Sequence, residues 1–305
     1  MRKLGFAVLA VLACSTMLLF AQPVQEEQTL RIGIMPDVDS LPIQLAKRDG
    51  LYQTEGAAVE LVLFHSPVER DAAFQAGKLD GMVGDTLGAL FLRQAGFDGV
   101  ITSITNGRYG IAASPRTTSR DRTSLVGKSV AVSSNTIIEY LADTLLSPTQ
   151  VTMMAIPKIP VRMEMLLNGS LDAACLPEPF YALAVSQGAV PIADSRQLSE
   201  VPGVMIFTKK AVDSQKANLI GFYRAYRSAC KRINADSNAY RDLLVEAADV
   251  PLAIKDSFEF VHYEAPRLPL ASSVEAVQAW LKDRGLLTTD ISYESLTDAS
   301  VIEAL

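Results

Sequence analysis

Four carboxylates stand where short apolar runs end. They are Asp37 and Asp39 in Met35-Pro-Asp-Val-Asp39, Asp85 in Gly84-Asp-Thr86, and Glu178 in Leu176-Pro-Glu-Pro179. An ionised carboxylate only accepts hydrogen bonds, so such a set suits an amine or an amino-heterocycle. For each one taken separately, helix capping or a solvated rim is the stronger reading. Ser133-Ser-Asn-Thr136 offers the opposite chemistry. Ser133, Ser134 and Asn135 precede a predicted helix whose first N–H groups lack partners, a seat for an anionic or carbonyl oxygen; plain N-capping is the alternative. Ser66 in Phe64-His-Ser-Pro67, Thr86, and Lys158 in Ile156-Pro-Lys-Ile-Pro160 hold matching places at other run ends. Arg108 and Tyr109, in Asn106-Gly-Arg-Tyr109, follow the last run of the first half. Arg108 is placed to face a cleft, and Tyr109 either stacks on a planar ligand or packs at the crossing. Arg70 and Arg162 lie one turn into equivalent helices, where a salt bridge at a lobe surface is the expectation.

Covalent or metal chemistry is poorly supplied. The two histidines, His65 and His262, have no neighbouring cluster with metal-ligand spacing. Gly-x-Ser-x-Gly, Walker and Gly-x-Gly-x-x-Gly patterns are absent. The expectation is a binder with no catalytic residue, metal or cofactor. An exported enzyme using Glu178, His65 and Lys158 is the alternative. A ligand-free sensory or interaction domain is a third reading.

The elements that must carry these residues follow from periodicity. Strands are predicted at 29–35, 58–64, 80–84 and 99–105, with helices at 41–52, 67–76 and 86–96 between them. The order then begins again: strands at 129–133, 151–156, 171–176 and 190–194, helices at 136–146, 160–168 and 179–187. Such alternation predicts α/β architecture with mostly parallel sheets and flanking helices. In open sheets of this kind ligands sit beyond the carboxyl ends of strands, where the residues above fall. After a strand at 204–207 helices dominate, at 212–233, 239–248 and 274–284, with a further start at 251–255. They form a buttress whose Phe258, Phe260, Tyr263 and Trp280 are core.

One phrase occurs twice. Gly77-Lys-Leu-Asp80 recurs as Gly169-Ser-Leu-Asp172, and the same shift carries Arg70 onto Arg162 and Phe74 onto Leu166. Two similar α/β units therefore follow one another. Only the second copy runs on into Pro-Glu-Pro179, an elbow expected to aim Glu178 at the cleft. The predicted division is 29–110 with 204–305 as the first lobe and its buttress, and 111–203 as the second.

The first 21 of the 305 residues differ in kind. Arg2 and Lys3 precede an apolar run to Ala21, which reads as a secretory signal peptide cleaved after Ala21; a lipoprotein site at Cys14 is the minority alternative. Cleavage takes the formal charge from -6 to 26 Lys+Arg against 34 Asp+Glu. No basic stripe stands out, which argues against nucleic acid as a partner. Pairing of Cys175 with Cys230 is left open.

Several of these stretches resemble a known family. Met35-Pro-Asp-Val-Asp-Ser-Leu-Pro42 with Ala46-Lys-Arg-Asp-Gly-Leu-Tyr52 resembles the opening of solute-binding proteins of ABC importers. The stretch 64–81 is similar to their second element, and Gly169-Ser-Leu-Asp-Ala-Ala-Cys-Leu-Pro-Glu-Pro179 to their second-lobe signature. The subgroup is that of thiamine-pyrimidine-precursor, alkanesulfonate, taurine and nitrate binders. The resemblance implies a two-lobed periplasmic-binding-protein fold, a small-molecule ligand held in the cleft, an ABC permease as partner, and a monomer in the periplasm or at the extracytoplasmic membrane surface. The superfamily also holds an enzyme that makes the thiamine pyrimidine with a run of cysteines; this chain has no such run.

Overall fold

The structure, a computed structural model, describes residues 29–118 and 120–305. The apolar leader, its cleavage point and Cys14 lie outside the described residues. Ten strands form: β1 (Leu30–Ile34), β2 (Val59–Leu63), β3 (Gly81–Asp85), β4 (Gly99–Ile104), β5 (Tyr109–Ala113), β6 (Ser129–Val132), β7 (Thr152–Ala155), β8 (Ala173–Pro177), β9 (Val190–Asp194) and β10 (Gly203–Thr208). They make two five-stranded sheets of the same design, ordered β2-β1-β3-β10-β4 and β7-β6-β8-β5-β9. In the first, β1 runs parallel to β2 and β3, while β10 opposes both β3 and β4. In the second, β6 runs parallel to β7 and β8, while β5 opposes both β8 and β9. Four strands of each sheet thus point one way. The opposed strand is in each case the one that has just crossed from the other sheet, so the sheets are mixed.

The chain crosses at 105–108 and again at 195–202, just ahead of the divisions expected at 111 and 204. The reason is β5, which periodicity did not mark as a strand. Tyr109-Gly-Ile-Ala-Ala113 carries a single β-branched residue and takes its extended form from wedging between β8 and β9.

The repeated phrase has one structural job, done twice. Gly77 (φ +68°) and Gly169 (φ +78°) end the helices Pro67–Gln75 and Ile159–Leu167 in the left-handed conformation that favours glycine. Leu79 and Leu171 are buried. Asp80 Oδ2 accepts the Arg31 N–H at 2.9 Å, and Asp172 Oδ2 accepts Ser129 N–H at 3.1 Å and its hydroxyl at 3.0 Å. Each aspartate thereby satisfies the start of the neighbouring central strand.

The predicted helix 41–52 breaks into Leu41–Arg48 and Leu51–Thr54 around left-handed Gly50. The predicted 212–233 is Lys209–Ser214 followed by Lys216–Ala235, and 251–255 is only a turn of 3-10 helix. Helix Lys216–Ala235 buries Phe222, Tyr223 and Tyr226 against the first lobe, with Phe222 stacked on Tyr52 at 5.7 Å. Helix Ala271–Asp283 reaches the second lobe. Its Trp280 meets Tyr140 edge-on at 5.6 Å and donates to Asp143 Oδ2 at 2.9 Å. One apolar cluster consequently runs from Leu90 and Val274 of the first lobe to Ile138 and Leu141 of the second. Cys175 and Cys230 are free and buried, in different lobes. No helix among the described residues is long and apolar enough to cross a membrane.

Candidate functional site

The carboxyl ends of β1, β3, β6, β7 and β8, with the two crossings, build a site with three distinct parts. The first lobe supplies an acidic wall. Asp37 leaves β1 and accepts the Ser40 N–H at 2.9 Å; Asp85 leaves β3 and caps helix Thr86–Gln94 through the Gly88 N–H at 2.8 Å. Asp39 lies deeper and accepts the Thr105 hydroxyl at 2.7 Å. Burial raises all three carboxyls above their ordinary range, and for Asp39 burial and then the charge of Asp37 push it up to about 7. The Tyr109 phenol, at the start of β5, rises well above its ordinary value through burial, and the charges of Asp39, Asp37 and Asp85 add to the rise. Arg70, 8% exposed, pulls each of them down; it pairs with Asp71 at 2.8 Å and sets Nη1 3.7 Å from the Met35 sulfur at the end of β1.

Asp39 also touches both crossings. A Cβ at Gly107 would stand 2.2 Å from Asp39 Oδ2, and one at Gly203 2.6 Å from Thr105 Oγ1 and 3.0 Å from Asp39 Oδ1. A side chain at Gly107 would displace the Asp39 carboxyl, and one at Gly203, where β10 begins, would displace Thr105 beside it. Buried Thr86 adds a link to the second crossing, donating its N–H to the Pro202 carbonyl at 2.9 Å.

The second part is the hinge network. Arg108 donates Nε to Glu178 Oε1 at 2.7 Å, with Nη2 2.5 Å from the same oxygen, and Nη1 to Glu259 Oε2 at 3.1 Å. Glu178 is 1% exposed, and its Oε2 accepts the Ala182 N–H at 3.1 Å. Burial raises its carboxyl and Arg108 opposes that. The expected elbow is present, but Glu178 meets Arg108 at the first crossing and both its oxygens are engaged. Arg196 of the second crossing joins Asp194 at 2.7 Å and Glu259 at 3.2 Å. One chain of charges therefore ties both crossings, the second lobe and the C-terminal segment together.

The third part is the second-lobe wall. Thr136, rather than Ser134 or Asn135, caps helix Ile137–Leu146, accepting the Ile138 N–H at 3.2 Å. Ser134 and Asn135 are exposed; Asn135 sits at φ +59° and gives its N–H to Glu139. Ser133 Oγ donates to the Pro157 carbonyl at 3.3 Å and accepts Arg162 Nη1 at 2.9 Å. Arg162 also reaches the Ile156 carbonyl at 2.9 Å. It is fully buried and in no salt bridge among the described residues, which corrects the surface pairing expected for it. Its Nε and Nη2 have no partner among the described residues, and burial brings its pKa down to about 10. Lys158 is exposed at the N-cap of the next helix. Ser66 is engaged as the cap of helix Pro67–Gln75, 3.4 Å from the Glu69 N–H.

The structure thus gathers Asp37, Asp39 and Asp85 on one wall, Ser133 with Ser134, Asn135 and Lys158 around the other, and Arg108, Tyr109 and Glu178 at the hinge. His65, Glu178 and Lys158 do not bond one another. Among the described residues, no three His, Cys, Asp or Glu are grouped to hold a metal ion.

A family model described as NMT1-like matches residues 24–248. The chain belongs to the NMT1-like family. A periplasmic binding protein of an ABC transporter from Brachyspira hyodysenteriae is 25% identical over 241 residues, which is 71% of this chain and 68% of that one. The periplasmic aliphatic sulphonate binding protein SsuA from Escherichia coli superposes with a TM-score of 0.75 at 16% identity, covering 88% of this chain and 92% of its own. The desulfurization enzyme DSZB superposes with a TM-score of 0.65 at 17% identity, covering 90% and 98%. The fold of this NMT1-like protein is accordingly the two-lobed periplasmic-binding-protein fold, which has hosted both transport and catalysis.

Three residues of the site escaped the sequence pattern. Thr105, Arg196 and Glu259 are set beside their partners only by folding. Arg162 did carry a signal: it lies one turn before buried Leu166, as Arg70 lies one turn before buried Phe74.

Proposed function

We propose that this protein is the extracytoplasmic solute-binding component of an ABC importer. It works as a monomer that closes on one small ligand between its lobes and presents the closed form to a membrane permease. The observation that carries the ligand-binding reading is the set of carboxylates, Asp37, Asp39 and Asp85, at the carboxyl ends of β1 and β3 beside both crossings. That wall accepts hydrogen bonds from N–H donors, and Tyr109 at the first crossing is the aromatic side chain for a planar ligand, which suits a nitrogen heterocycle such as a thiamine pyrimidine precursor. Contacts from both walls exist together only when the lobes are close, so binding shifts the population toward closure. The relative from Brachyspira and the SsuA fold support the transport reading.

A second ligand class, an alkanesulfonate or other small anion, is favoured by the SsuA likeness and by the unpaired cation of the second lobe. An enzymatic role has only the DSZB likeness in its favour. Native mass spectrometry of the freshly purified protein tests the reading: one small molecule per chain, recovered unchanged after incubation, is the expected result. Turnover of that molecule would replace the binder by an enzyme. A thermal shift with alkanesulfonates and none with any aminopyrimidine would remove the heterocycle and leave the importer reading in place.

A further inference from the structure

Single apolar side chains on a surface are ordinary. Among the described residues seven large ones are exposed, and four of these fall at equivalent places in the two lobes. Leu63 ends β2, and Val68 lies in the first turn of helix Pro67–Gln75. Met154 lies near the end of β7, and Val161 in the first turn of helix Ile159–Leu167. Strand register locates these places. The first crossing enters β5 at Tyr109, opposite Pro177 at the carboxyl end of β8. The second enters β10 at Gly203, opposite Asp85 at the carboxyl end of β3. The carboxyl edges of the two sheets therefore face each other across the cleft. Strands β10 and β4, and β5 and β9, occupy the crossing end of their sheets; β2 and β7 stand at the far end. Helices Thr86–Gln94 and Ile137–Leu146 share one apolar cluster on the same side of both sheets. With right-handed crossovers the two strand orders then run away from the hinge in the same direction. Residues 63–69 and 154–161 are thus the two lips of the cleft mouth.

We propose that these lips are each other's partners: on closure Leu63 and Val68 pack against Met154 and Val161, an apolar latch that holds the closed form. The inference rests on the reading that the lobes close on a ligand, and adds what holds them shut at a distance from that ligand. Rotation about the crossings carries β2 and β7 through the longest arc, so contact there resists reopening with the longest lever. The contact is rewarded only in the closed state and shifts the population toward it. Pro67, Pro157 and Pro160 stiffen both lips, so little backbone freedom is lost when they meet. Charge is complementary as well. Glu60 and Glu69 are exposed on the first lip, where Arg70 is buried. Lys158 is exposed on the second, and residues 151–161 hold no carboxylate.

Cross-linking the full mature protein with a short bismaleimide tests this, both as purified and after its ligand is stripped. Cys175 and Cys230 are buried, so the parent chain serves as the blank. Leu63→Cys with Val161→Cys should link within one chain, faster in the protein as purified. Leu63→Cys with Lys128→Cys, whose second site precedes β6 at the edge away from the cleft, should not. Adding Val68→Ser and Met154→Ser to the first pair should slow its linking by about tenfold. Lys158→Glu should slow it by about threefold at low salt, and Glu69→Lys should restore it. Melting curves confirm that these surface variants fold. X-ray scattering separates the two ways to fail. Compaction with ligand but no link within the chain overturns the latch and leaves closure standing; no compaction removes closure and the latch together. Links between chains would give the lips to a second copy. Linking indifferent to Val68→Ser, Met154→Ser and Lys158→Glu would leave the lips free for the permease. Either result overturns the latch.

Discussion

The two lobes share a sheet order, a repeated Gly-x-Leu-Asp phrase and an arginine one turn into the same helix, yet their cleft walls differ in charge. Around Arg70 stand Asp37, Asp39, Asp71 and Asp85; among the described residues no carboxylate pairs with Arg162. The shared residues build the scaffold, and the unshared ones sit at strand ends facing the cleft. A duplicated frame with unlike walls can tell the two ends of a ligand apart, which a symmetric cleft cannot do.

The largest effect is expected at the hinge, where the walls are held in relation to each other. Glu178→Ala would strip Arg108 of its buried partner and should cost about 3–5 kcal/mol in denaturant unfolding. A cost under about 1 kcal/mol would mean the pair does not tie the crossing to the second lobe. Next comes the contrast between arginines. Arg70→Met removes the cation that offsets buried Asp39 and half-buried Asp37 and Asp85 and should cost about 2–3 kcal/mol at neutral pH. Arg162→Met removes a buried, unmatched charge and should leave stability within about 1 kcal/mol of the parent, or raise it. Equal losses in chemical denaturation would dissolve the comparison.

Acid titration sharpens the first wall. The folded Asp39 carboxyl lies at about 7, above its unfolded value, so the native state holds this proton where the unfolded chain has released it. Stability present at low pH is therefore lost as pH rises from about 4 to about 7. Asp39→Asn should remove about 1–2 kcal/mol of that fall, Asp37 and Asp85 retaining the rest. Melting temperatures of the two proteins across this range give the answer, and parallel curves would show that Asp39 is not the titrating group. The smallest effects test the shared frame. Asp80→Asn and Asp172→Asn each weaken the hydrogen bond at the start of a central strand and should each cost about 1 kcal/mol. A loss confined to one of them would mean that the repeated phrase does not do the same work in both lobes.

Much of this frame was legible before any coordinates. Gly77, Gly169, Leu79 and Leu171 mark helix ends and buried strand starts by type and spacing alone, and the strand-end turns followed from them. Less of the site was legible. Arg108 and Glu178 are 70 residues apart, and nothing local announces that they pair. Nor does the sequence show that Gly107 and Gly203, nearly a hundred residues apart, pass the same Asp39 carboxyl. Strand β5 was missed because its small residues have weak strand preference and its form comes from its neighbours. Arg162 was read as a surface residue because arginine is rarely buried unpaired, although its helical face, shared with Leu166, pointed inward.

The most direct test of a ligand held between unlike walls is hydrogen exchange on the protein carrying its retained ligand, compared with the same protein after the ligand is stripped. The account predicts ligand-dependent protection in both the 35–40 turn of the first lobe and the 133–137 turn of the second. Protection confined to one lobe, or lying away from both turns, would contradict it.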